Sequence, residues 1–84
     1  MKFATAGTME SNDCLITVKP HDRLEILIES IVYKQFKNQI EKVIRETLLD
    51  SKIEFIHVHI QDKGALDYTI KARLQTALSR LERS

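Results

Sequence analysis

The stretch 53-IEFIHVHIQDKGALD-67 decides the fold. Its first nine residues alternate, with Glu54, Ile56, Val58 and Ile60 on one side and Ile53, Phe55, His57 and His59 on the other. A period of two, rich in β-branched residues, is a strand. The run 62-DKGALD-67 then breaks the alternation and opens a helix. Leu66, Ile70, Leu74, Ala77, Leu78 and Leu81 form its apolar stripe, Asp67 and Lys71 make a surface pair four apart, and the last turn is expected to fray.

Upstream, Tyr33, Phe36, Ile40, Val43, Ile44, Thr47 and Leu48 recur at three- and four-residue steps. That is an amphipathic helix, with Ser30 as its expected N-cap, Glu41–Arg45 as a favourable pair and an end near Asp50. Before it, 23-RLEILIE-29 puts Leu24, Ile26 and Ile28 on one face, and 14-CLITVK-19 does the same with Cys14, Ile16 and Val18. The turn-forming 20-PHDR-23 between these two strands predicts an antiparallel hairpin. Residues 2–9, with Phe3, Thr5 and Thr8, add an earlier strand that turns back at 10-ESND-13. The order (β)ββ-α-β-α predicts an α+β fold: a small antiparallel or mixed sheet of three to four strands, two helices packed on one face, and the His57/His59 side more exposed.

The chain has 84 residues, read as one domain over 1–84. So short a chain buries about 60–65% of its unfolded surface, a modest core that favours a carrier, binding or regulatory role over a large catalytic cleft. Thirteen basic residues against twelve acidic ones give a net charge of +1, no footprint for nucleic acid and no basic run for anionic lipid. Purely apolar runs are no longer than three residues, and MKFATAG lacks the apolar core of a secretory signal. The single cysteine, Cys14, has no partner for an internal disulfide. A reducing, cytoplasmic setting is expected, with Cys14 as a small buried apolar residue.

His57 and His59 share one strand face, a spacing that can chelate a metal, but only His21 and Cys14 are left as soft ligands, in no recognisable spacing. They read as partly exposed strand histidines, and no metal site is expected. Leu49-Asp50-Ser51 is like the Asp-Ser-Leu of ordinary acyl carrier proteins, but Lys52 follows the serine and the serine ends a helix instead of starting one. It reads as a helix-end turn. Two glycines 57 residues apart cannot build a glycine-rich phosphate loop. Ser11, in 6-AGTMESNDC-14, has no local histidine or lysine to serve as the base that a serine nucleophile needs. What the turn does offer is an exposed hydroxyl, the property needed for modification by another enzyme.

Three stretches together, 6-AGTMESND-13, 33-YKQFKNQI-40 and 62-DKGALDYTIKARLQTAL-78, resemble the acyl carrier (gamma) subunit of citrate lyase. Members look like AGTxES-x-D near the N-terminus, KQFG opening a helix, and DKGALD leading into a helix with an arginine–leucine pair. The likeness runs over most of the chain. Lys37 stands where many relatives have glycine, and several relatives continue past the position of Ser84.

The resemblance implies that Ser11 carries a phosphoribosyl-dephospho-CoA group through a phosphodiester. A prosthetic-group transferase would attach it from 2'-(5''-triphosphoribosyl)-3'-dephospho-CoA. It also implies two partners. The alpha subunit exchanges acetyl for citryl on the arm, and the beta subunit cleaves the citryl thioester to oxaloacetate and regenerates the acetyl thioester. The carrier itself is not catalytic. Tethering gives one acyl group access to two active sites at an effective concentration of roughly millimolar. That task calls for a rigid body, a mobile attachment loop at 7-GTMESND-13, and a docking surface expected around that loop, Lys63 and the start of the second helix. The alternatives are the carrier subunit of malonate decarboxylase, a small non-catalytic α+β interaction domain, and, against the missing base, a hydrolase using Ser11.

Overall fold

In this computed structural model, residues 2–31 and 33–84 are described, Tyr33 by its backbone alone; its expected side-chain place in the apolar stripe lies outside the described residues. The elements are β1 (Ala4–Gly7), β2 (Cys14–Lys19), β3 (Leu24–Ser30), α1 (Tyr33–Asp50), β4 (Ile56–Asp62) and α2 (Asp67–Arg83). They form an α+β fold with one four-stranded mixed sheet in the order β1-β2-β4-β3.

The strand order corrects one expectation. β1 and β2 pair as an antiparallel hairpin across 8–13. β2 and β3 do not pair: β4 lies between them, antiparallel to β2 and parallel to β3. The segment 20–23 is therefore a crossover and not a hairpin turn. The cause lies in the side chains. Ile56, Val58 and Ile60 of β4 are at most 3% exposed, and a strand with so apolar a face is best placed centrally. β3 buries only Ile28, with Leu24 and Ile26 partly covered, which suits an edge. The parallel β3/β4 pair needs a long connection, and the 18-residue α1 supplies it.

One apolar cluster joins the inward sheet residues, among them Ile16, Val18, Val58 and Ile60, to Ile44 and Leu48 of α1 and Ile70 and Leu74 of α2. Both helices thus cover the same face, as the pattern predicts. Each such side chain contributes about 1.5–3 kcal/mol by leaving water. Phe36, expected in the α1 stripe, is 48% exposed, and among the described side chains of α1 the first buried one is Ile40. Ser30, expected as the cap of α1, ends β3 opposite Asp62 and donates its hydroxyl to Asp62 Oδ2 at 2.9 Å.

α1 closes at Lys52, a non-glycine residue at φ 58, whose N–H donates to the Leu49 carbonyl while Ile53 N–H donates to Leu48. This left-handed cap turns the chain so that β4 starts at Ile56, leaving Glu54 and Phe55 exposed outside it. The Glu41–Arg45 pair forms at 2.8 Å. Asp67 instead accepts from Gln39 Nε2 at 2.7 Å, tying the start of α2 to α1. α2 stays regular through Arg83, held by the buried Leu81.

Candidate functional site

β1 ends at Gly7 with φ +101, where a Cβ would lie 1.8 Å from the Cys14 carbonyl oxygen. Only glycine lets the two strands of the hairpin close here. The Thr8 N–H donates to that same carbonyl at 3.1 Å and seals the base of the loop. Asn12 takes the left-handed conformation at φ 66, one that asparagine tolerates.

Asp13 organises what lies between. Its Oδ1 accepts from the Cys14 N–H at 2.7 Å and from Arg73 Nε at 3.1 Å. Its Oδ2 accepts from the Thr8 hydroxyl at 2.7 Å and from Arg73 Nη2 at 3.1 Å. The Thr8 oxygen in turn accepts from the Glu10 N–H at 3.2 Å. The Arg73 guanidinium is the main reason that the Asp13 carboxyl is held down at about 2, with the Thr8 hydrogen bond next. Arg73 is raised in return, first by its hydrogen bond to Asp13. A two-pronged arginine–carboxylate contact fixes direction as well as distance.

A second brace comes from the loop after β4. The Asn12 N–H donates to the Lys63 carbonyl at 2.8 Å, and the Lys63 N–H donates to the Asp13 carbonyl at 2.9 Å. That loop is itself tied by the buried Asp62, whose Oδ1 accepts from the Ala65 N–H at 2.9 Å. The two stretches 7-GTMESND-13 and 62-DKGALD-67, distant in sequence, are thus one structure. The stem of the loop, expected to be mobile, is braced on both sides. Ser11 stands exposed at its tip, and among the described residues no hydrogen bond engages its hydroxyl. No base is in contact with it, so nothing here activates it as a nucleophile.

The other candidates lie elsewhere. His57 donates through Nδ1 to Glu25 Oε1 at 2.6 Å, and His59 through Nε2 to Glu29 Oε2 at 2.8 Å, across the parallel β3/β4 pair on the sheet face away from the helices. The Glu25 carboxyl is lowered, chiefly by the His57 hydrogen bond. Among the described residues no group of three histidine, cysteine or acidic side chains could hold a metal ion. Cys14 is fully buried, and that burial, with the Asp13 and Asp62 charges, pushes its thiol up to about 12. Ser51 is an exposed turn residue after α1. No described helix is long and apolar enough to cross a membrane.

The sequence reading missed Asp13 and Arg73 as a pair. A signal existed: Arg73 falls three residues after Ile70 and four before Ala77, beside the buried stripe of α2, where a guanidinium needs an acid.

A family model described as malonate decarboxylase delta subunit (MdcD) matches residues 1–81. A citrate lyase acyl carrier protein of Halothermothrix orenii is 49% identical over 80 residues, which is 94% of this chain and 85% of the relative. One of Treponema denticola is 46% identical over 77 residues, 92% of this chain and 88% of the relative. Among solved structures, a chain of a Pseudomonas malonate decarboxylase hetero-tetramer in complex with malonate superposes with a TM-score of 0.81. It covers 95% of this chain and 84% of that one at 18% identity, a likeness of fold.

Proposed function

Because the chain belongs to the citrate lyase acyl carrier proteins, within the family described as malonate decarboxylase delta subunit, we propose that it is the carrier subunit of a citrate lyase and that Ser11 holds its prosthetic group. The observation that carries this reading is the exposed, unengaged Ser11 hydroxyl at the tip of a loop braced by Asp13, Arg73 and Lys63. These residues fit a phosphodiester: the hydroxyl is open to a transferase, and no side chain competes for it. When attached, a phosphoribosyl-dephospho-CoA arm supplies a terminal thiol able to carry an acyl group as a thioester.

The chain's own residues do the rest. Asp13 and Arg73 hold the loop stem in one direction, so that movement is left to the arm and its junction. Cys14, the one thiol in the chain, is buried and protonated, so acyl groups are not lost to it. The partners on this reading are the alpha and beta subunits of citrate lyase and a prosthetic-group transferase, in the cytoplasm. Relatives that are 46–49% identical and bear the citrate lyase carrier name favour this over a malonate decarboxylase carrier, which the family description keeps as the second reading.

The test is intact mass and peptide mapping after co-expression with the transferase and the arm-synthesis enzymes, beside Ser11→Ala. A dephospho-CoA-type adduct on the Ser11 peptide, absent in the variant, is expected. An unmodified chain, with the transferase active on another carrier, overturns the reading. Turnover of the loaded protein with citrate lyase or malonate decarboxylase subunits separates the two carriers.

A further inference from the structure

We infer that Lys63, with the groove it shares with Met9 and Ile31, cradles the anionic base of the arm on Ser11; this rests on Ser11 being the attachment point. The backbone bonds from Asn12 to Lys63 and from Lys63 to Asp13 hold Lys63 beside the residues that directly follow Ser11. Its ammonium sits on a flexible four-carbon stem, a compact charge suited to phosphate. Among the described residues it has no ion-pair or hydrogen-bond partner. The acids around it are engaged. Asp13 pairs with Arg73, Glu29 with His59, and Asp62 with the Ser30 hydroxyl and the Ala65 N–H. Glu10 flanks Ser11 on the other side, and its carboxylate repels a phosphate. The charge pattern therefore draws the phosphodiester toward Lys63.

The groove on that side runs between Met9, Glu29, Ile31, Gln61 and Lys63. Met9 is 46% and Ile31 65% exposed, so its walls mix apolar surface with the Gln61 amide and the carboxylates of Glu29 and Asp62, which already have partners in His59, Ser30 and Ala65. That mixture suits the phosphoribosyl root of the arm, whose ribose hydroxyls can pair with the Gln61 amide while its carbon face lies on Met9 and Ile31. Methionine, being flexible, adapts to such a ligand.

The experiment compares amide spectra of 15N-labelled protein before and after loading with the arm, for the wild type and for Lys63→Gln. The Lys63 brace uses backbone atoms, so the variant keeps it, and matching unloaded spectra confirm the fold. Loading is expected to shift the amides of Ile31, Gln61 and Lys63 as well as those of the loop, and Lys63→Gln to lose the shifts at Ile31 and Gln61. Salt at about 1 M, where the screening length is about 3 Å, should shrink them in the wild type. Loaded protein whose shifts stay within residues 9–13, or whose Ile31 and Gln61 shifts survive in Lys63→Gln, overturns the cradle alone; a groove that instead answers only to an added partner subunit does the same. Failure to load Ser11, with an active transferase, overturns the attachment reading and the cradle with it.

Discussion

Asp13 and Arg73 lie 60 residues apart, one in the loop after β1 and the other on α2, and meet through two parallel contacts of 3.1 Å. Asp13 is only 13% exposed, whereas Arg73 is 41% exposed. The pair thus reaches from the core edge to the surface and sets where the tip of the loop points.

Acid should loosen this loop before the core fails. The Asp13 carboxyl falls from an ordinary 3.8 to about 2 in the folded protein. A lowered folded value means that its contribution is present above about 3.8 and is lost as pH falls toward 2. Urea unfolding across that range should show stability dropping with pH. The slope should flatten in Asp13→Asn, and partly in Arg73→Leu, where the Thr8 and Cys14 hydrogen bonds to Asp13 survive. Equal slopes in all three proteins would sink the assignment.

Gly7→Ala should be severe and Gly64→Ala mild. Both glycines have positive φ, and that strain costs roughly 1–3 kcal/mol for another residue. At Gly7 the new Cβ would also fall 1.8 Å from the Cys14 carbonyl oxygen, whereas at Gly64 the nearest atom, Asn12 Oδ1, is 3.6 Å away. Thermal unfolding of the two variants should therefore separate them clearly, with Gly7→Ala also impairing modification of Ser11.

Asp62→Ala should destabilise by about 1–3 kcal/mol, because the Ala65 N–H and the Ser30 hydroxyl lose their acceptor. Chemical denaturation measures this. Asp62→Asn keeps an oxygen for one of the two donors and should lose less. Because Asp62 sits directly before Lys63, both variants should also broaden the amide signals of Asn12 and Asp13.

Cys14 should be silent to thiol reagents in the native protein. Burial and neighbouring acids push it up to about 12, so almost no thiolate exists near neutral pH. Reaction with a disulfide reagent should match the rate of opening in dilute urea. Fast native labelling would contradict both the burial and the idea that acyl groups stay on the arm.

Periodicity served well wherever one face meets one core. The strand of Cys14, Ile16 and Val18, the helix from Ile40 to Leu48 and the helix from Ile70 to Leu81 bury the residues that their spacing selects, but Leu66, expected to open the stripe of α2, lies before the helix and is 59% exposed. It failed at Phe36 and at Glu54, where helix or alternation extends past the core and the pattern has nothing left to bury. At the site, the exposed Ser11 turn was legible from composition, and the brace was not. Its donors come from α2 and from the loop after β4, and local spacing carries no record of either.

By itself, the sequence determined the type of each element, the face that each would bury except in β1, the burial of Cys14 and the exposed turn at Ser11, because these follow from backbone period and turn chemistry within a few residues. At β1 the small Ala4 and Ala6 are buried while Thr5 and the preceding Phe3 are exposed. Only the tertiary structure decided that β4 separates β2 from β3, that Arg73 locks Asp13, and that Lys63 lies beside the serine loop. Alternation says which side of a strand is apolar but not which strand lies next to it. That choice belongs to the packing of the whole core, and the contacts at the loop follow from it.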